Sequence, residues 1–131
     1  MTLNDWGWDE QWARQASLQG ADSTSVARVV SQDRASWSIQ TQLGPETARV
    51  PSASGVYPSP VTGDWVVAGP GPMPTDPWSI RAVLPRRSSI SRGAAGTGKA
   101  EQVLAANVDK VWIVHGLDMP LNSRRLERFL A

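Results

Sequence analysis

Cysteine is absent from all 131 residues, so this chain forms no disulfide of its own and offers no thiolate to a metal. A single histidine, His115, leaves a zinc site without its usual set of nitrogen and sulfur ligands. Long apolar runs are missing as well, and none approaches the roughly 18 residues of a membrane span. The opening MTLNDWGWDEQW has neither the basic nor the apolar region of a secretory leader. A soluble, cytoplasmic protein with no membrane contact is therefore expected. Acid is missing locally: no Asp or Glu falls between Asp76 and Glu101, where Arg81, Arg86, Arg87, Arg92 and Lys99 do fall. The net charge of +1 conceals this asymmetry, since Asp5, Asp9, Glu10 and Asp22 crowd the amino-terminal end. A guanidinium fork suits phosphate better than a lysine point charge, which makes the arginine-rich segment the strongest electrostatic footprint in the chain.

What is present points to a turn-rich β protein. Apolar residues make up 40% of the chain, and 10 prolines with 11 glycines argue against a helical bundle. Asn4 or Asp5 can cap a short helix running to about Leu18, with Trp8 and Trp12 four apart on a face that docks on the body of the domain. From Ser25 the period becomes that of strands. SVARVVSQ is the first, with Arg28 facing out; WSIQTQ the second, with Trp37, Ile39 and Thr41 sharing the core face; TARVP the third. VYPSPVTG is a proline-rich excursion, DWVVAG the fourth strand and WSIRAVLP the fifth. Short strands in this number, joined by Gly- and Pro-rich turns, fit a closed or nearly closed barrel, and the OB-fold is the common five-stranded form.

RRSSISRGAAGTGKAEQ then runs without apolar periodicity and is expected to be a linker. Its GAAGTGKA, residues 93–100, imitates a phosphate-binding loop, with Gly93, Gly98 and Lys99 correctly spaced. A working loop follows a buried strand, opens a helix and carries a hydroxyl after its lysine. Here SSISR precedes it and Ala100 stands at the hydroxyl position, so no nucleotide site is expected. Downstream, Val111–Val114 form an uninterrupted apolar run, expected to be a strand buried on both faces. SRRLERFLA follows as an amphipathic helix bearing Arg124, Arg125 and Arg128. Strand and helix together make half of a βαβ unit, as if a second domain were cut off just after it begins.

YPSPVTGDWVV, IRAVLPRRSSISR, EQVLAANVDKVWIV and LNSRRLERFLA, in that order and with DWGWDEQW ahead of them, resemble the ribosome small-subunit-dependent GTPase family, the circularly permuted RsgA-like GTPases. The resemblance covers nearly the whole chain. It implies the amino-terminal portion of a three-part protein: an OB-fold that binds small-subunit ribosomal RNA, then a permuted GTPase domain, then a zinc-binding domain. GTP, magnesium and zinc are implied for those later domains, and no cofactor is expected here. This chain alone is expected neither to bind nor to hydrolyse GTP. The implied partners are the small ribosomal subunit and its rRNA, met by a monomer.

The expected organisation is an amino-terminal helical segment (1–22), an OB-fold RNA-binding domain (23–87), a linker (88–102) and the start of an incomplete α/β GTPase domain (103–131). Arg28, Arg34, Arg81, Arg86, Arg87 and Arg92 are the candidate RNA contacts, because arginines beside an OB barrel commonly serve backbone binding. Trp37 is expected in the core. Asp64 has no acid–base partner in sequence and is expected to cap a turn. His115 ends its apolar run as a plain strand-end residue, and Asn107 and Asp109 are expected to cap the start of the Val111 strand. Two other functions fit the sequence less well: a small P-loop NTPase using Lys99, and a protein-interaction barrel whose arginines are incidental.

Overall fold

The computed structural model describes residues 2–53, 55–56, 58–92, 102–112 and 114. Five strands close into a barrel in the order β1 (Val26–Gln32), β2 (Trp37–Thr41), β3 (Gly44–Arg49), β5 (Trp78–Val83), β4 (Trp65–Gly69) and back to β1. All seams are antiparallel except β3 with β5, which is parallel. This is the OB-fold arrangement that the strand count and turn chemistry predict. Irregular register at Val30 in β1 and at Arg81 in β5, each an extra residue with no opposite partner, supplies the bulges that bend strands around a small cylinder.

Strand alternation sorts side chains into two clusters. Inside the barrel lie Ala27, Val29, Ile39, Ala48, Val66, Ala68, Trp78 and Ile80, where small alanines leave room for the large residues. Val26, Trp65 and Val67 point the other way, yet they too are buried, beneath Leu3, Trp12 and Ala16 of the amino-terminal arm. That second layer is why WVVAG reads as a continuous apolar run rather than an alternating one. Trp37 lies partly buried against the inner cluster, and its indole N–H donates to Pro60 O at 2.9 Å.

The arm is a 3₁₀ turn (Leu3–Trp6) followed by α1 (Glu10–Leu18), not the single helix expected from Asn4 onward. Gly7 causes the break: its φ of 99° is left-handed, and a Cβ there would lie 2.8 Å from an Arg28 nitrogen. Asp9 then restarts the helix, its Oδ1 accepting from Trp12 N at 3.0 Å. Trp12 and Ala16, one turn apart, are the residues α1 buries. Trp8 and Trp12 dock on Trp65, with ring centres 4.9 and 6.2 Å away.

Asp9 also accepts from Arg87 Nη2 at 2.6 Å. This hydrogen bond, followed by that from Trp12 N, holds the Asp9 carboxyl below the usual carboxylate range. A depressed folded value means the contribution is complete above an unfolded pKa of about 4 and is lost as pH falls through the lower folded value. Asp9→Ala is expected to remove about 1 kcal/mol, mainly through the cap. Urea titrations at neutral pH and near pH 3 check this, with the two proteins converging at the acid end.

Two further strands lie outside the barrel. β6 (Ser89–Arg92) and β7 (Gln102–Ala106) pair antiparallel, so part of the segment whose composition suggests a linker is in a sheet. This sheet docks on the barrel where Thr62 bridges Ala105 and Ala106 N donates to Thr62 O at 2.9 Å. Val111, Trp112 and Val114 carry no strand and are exposed, Trp112 by 88% and Val114 by 93%. A strand apolar on both faces needs neighbours on both edges, and the described residues supply none there. His115 and the SRRLERFLA segment lie outside the described residues.

Candidate nucleic-acid interface

The arginines divide into a group that holds the fold together and a group that faces solvent. Arg86 belongs to the first. Its Nε and Nη2 grip Asp64 Oδ1 and Oδ2, each at 2.8 Å, and Nη2 also reaches Ser59 O at 3.2 Å. Asp64 is fully buried and accepts in addition from Val61 N at 2.9 Å, so it caps the turn before β4, as expected, and anchors a bidentate ion pair as well. That hydrogen-bonded carboxylate pushes the Arg86 guanidinium above its usual value.

Arg28 is half-buried rather than free in solvent. Alternation does put it on the outer face of β1, but the arm covers that face. Its Nε donates to Gly63 O at 3.1 Å, its Nη2 to Asn107 O at 2.8 Å and its Nη1 to Trp6 O. One guanidinium thereby ties together the arm, the turn before β4 and the residue after β7. Burial lowers its pKa, opposed by the charge of Asp109. Arg87 pairs with Asp9 and lies over the Trp12 ring, 4.4 Å from its centre.

Asn107 completes this junction. It has a left-handed φ of 55°, a conformation asparagine tolerates better than most residues. Its Nδ2 donates to Gly63 O at 3.0 Å, its Oδ1 accepts from Arg87 N at 2.8 Å, and its backbone N donates to Ser88 O at 2.9 Å. Asn107 thus fastens β7 to the barrel instead of capping a strand at Val111. No feature of AANVD taken alone distinguishes these roles, because every partner lies far off in sequence.

The second group is exposed. Arg34 sits in the β1–β2 turn, which Asp33 organises by accepting from Arg34 N at 2.8 Å. Arg81 is exposed on β5, the extra residue of its bulge between the inward-facing Ile80 and Ala82, which packs against the outer cluster. Arg92 is exposed at the end of β6. The register adds one residue that the sequence did not single out: Arg49, exposed at the end of β3, stands beside Ser79 across the β3–β5 seam. Ser38 and Thr47, paired on β2 and β3, share its outward side. No ion pair engages Arg34, Arg49 or Arg81 among the described residues. A continuous outer surface of hydroxyls and unpaired guanidiniums therefore spans β2, β3 and β5.

Lys99 and the rest of GAAGTGKA lie outside the described residues. Their context is nevertheless defined, because the residues on either side belong to the antiparallel pair β6 and β7. No cluster of three His, Cys, Asp or Glu able to hold a metal occurs among the described residues. No described helix is long and apolar enough to cross a membrane.

No family model matches the chain. Individual proteins do. Small ribosomal subunit biogenesis GTPase RsgA 2 of Vibrio parahaemolyticus is 36% identical over 129 residues, covering 98% of this chain and 34% of its own length. RsgA of Xanthomonas euvesicatoria is 38% identical over 142 residues, with 98% and 37% covered, and RsgA of Streptomyces coelicolor 35% over 131, with 98% and 35%. The chain thus spans about a third of the length of these relatives, while almost none of it falls outside the match. With the OB barrel in place and the similarity running through it from end to end, this chain is a homologue of the small ribosomal subunit biogenesis GTPases of the RsgA family, alike over that third.

Proposed function

We propose that this chain is the rRNA-binding portion of a GTPase that acts in maturation of the small ribosomal subunit, with GTP binding and hydrolysis belonging to sequence it does not contain. The observation that carries this is the outer surface of β2, β3 and β5, where Arg49 and Arg81 stand exposed beside Ser38, Thr47 and Ser79. Arg34 in the β1–β2 turn and Arg92 on β6 add charge. In OB-folds, that strand face and the β1–β2 loop are the usual ligand edge. Arg86, whose Nε and Nη2 are held by Asp64, serves the barrel itself.

Recognition is then mainly of backbone. Trp12, Trp65 and Trp78 are buried and Trp37 is half-buried, so these indoles are withheld from bases while Arg34, Arg49, Arg81 and Arg92 stay exposed. Affinity for small subunits or their rRNA should fall steeply with salt, the log–log slope reporting the number of phosphates engaged. Replacing Arg34, Arg49 and Arg81 together by Gln is expected to lower affinity at least tenfold and to bring the slope about one unit toward zero per arginine. Filter binding across a salt series measures both. Salt-independent binding, or full affinity in the triple variant, would overturn the assignment. The latter result would favour a protein contact, for which Leu43, 85% exposed at the β2–β3 tip, is the natural anchor.

A further inference from the structure

Arg28 and Arg87 lie far apart in sequence yet line one cavity of about 80 Å³, with Trp12, Trp65, Ser88 and Asn107 as its other principal walls. Each guanidinium lies over an indole within cation–π range, Arg28 at 5.7 Å from the Trp65 ring centre and Arg87, closer, at 4.4 Å from that of Trp12. Both are also held from behind. Arg28 gives N–H groups to the carbonyls of Trp6, Gly63 and Asn107, and Arg87 gives one to Asp9. A guanidinium carries five N–H groups. Each of these therefore keeps donors with no acceptor among the described residues.

We propose that this cavity binds a single phosphate-type oxyanion, held by Arg28 and Arg87 with help from the Ser88 hydroxyl. About 80 Å³ is room for a phosphate group, and the cavity is open on one side, so the rest of a larger ligand would lie in solvent. The donors are preorganised by their indole contacts and carbonyl anchors, so little ordering accompanies binding. The two guanidiniums come from β1 and from the segment before β6, and an anion between them adds a bond across that junction. Asp109, exposed at the same cavity, is the opposing group: its negative charge acts on both arginines and competes with an incoming anion. The site is separate from the outer surface of β2, β3 and β5 and stands independently of it.

Titrating inorganic phosphate into the ¹⁵N-labelled chain at low ionic strength tests this, with the side-chain N–H signals of Trp12 and Arg87 as reporters. Saturable shifts are expected there and at the Ser88 and Asn107 amides. Arg87→Gln should weaken binding about tenfold, the effect of removing a hydrogen bond to a charged group. Asp109→Asn should tighten it by about two- to fivefold, in proportion to one exposed charge pair. Because Asp109 is exposed and makes no hydrogen bond among the described residues, this variant is expected to fold as the parent does. The triple variant Arg34→Gln, Arg49→Gln, Arg81→Gln should bind phosphate normally, which separates failure here from failure of the rRNA assignment. If a short RNA hairpin displaces phosphate from the same signals, the bound group is an RNA phosphodiester; if it does not, the site takes free phosphate. Non-saturating shifts spread over all arginines, or unchanged affinity in Asp109→Asn, would overturn the proposal.

Discussion

Asp64→Ala is expected to lose about 3–5 kcal/mol of folding stability, the usual consequence of breaking a buried ion pair by removing one partner. Asp64 is fully buried, and its carboxylate satisfies Arg86 Nε, Arg86 Nη2 and Val61 N together. Truncation leaves a largely buried guanidinium without its counter-charge and a backbone N–H without an acceptor. The pair is not a large net source of stability, because bringing both charges out of water cancels much of their attraction. It instead fixes where β4 begins relative to the segment that leaves β5. Arg86→Met in the Asp64→Ala background should therefore recover part of the loss, and urea denaturation of the single and double variants measures the coupling. A single-variant loss below about 1 kcal/mol would mean that the pair is solvated and unimportant.

Gly63→Ala is the second large effect. The added Cβ would stand 1.9 Å from the carbonyl oxygen of Ala106, a backbone atom that no rotamer change can move. Gly63 also has a φ of 94°, where an L side chain adds about 1–2 kcal/mol of strain. Relief requires the β6–β7 sheet to lift away from Thr62 and Gly63. That movement also breaks the bonds from Asn107 to the Gly63 carbonyl and from Arg28 to the Asn107 carbonyl. The expected loss is about 3 kcal/mol or more, since strain, collision and orphaned donors act together. Amide shifts confined to β6, β7 and Asn107, with barrel amides unmoved, would show that the sheet undocks while the cylinder survives. An unchanged spectrum would refute the clash.

Much of the barrel is legible in the sequence because its signals are local. Trp37, Ile39 and Thr41 alternate toward the core, WVVAG is apolar throughout, and Gly- and Pro-rich turns separate the strands. What is not legible depends on partners distant along the chain. Arg28 looks solvent-facing by alternation between Ala27 and Val29, and only the folded arm brings Trp6 O and Asn107 O to it. Ser89–Arg92 has the composition of a linker, and its pairing with Gln102–Ala106 lies across a glycine-rich stretch that carries no hairpin signal. Arg49 passes unnoticed because TARVP names a strand without saying which neighbour its last residue meets. Asp64 is recognisable as a turn residue, whereas its pairing with Arg86, beyond two intervening strands, is not.

The parallel seam between β3 and β5 has one more consequence. Only two residue pairs knit it, Ala48 with Trp78 and Arg49 with Ser79, and the chain must close a long loop to make them. Contacts that close long loops carry the largest entropic cost for the fewest bonds, so this seam is the one expected to open first. Arg49 and Ser79 stand on opposite lips of this weak join. A polyanion bridging them would staple the zipper shut, and by mass action a ligand that prefers the closed form would make the whole module harder to melt.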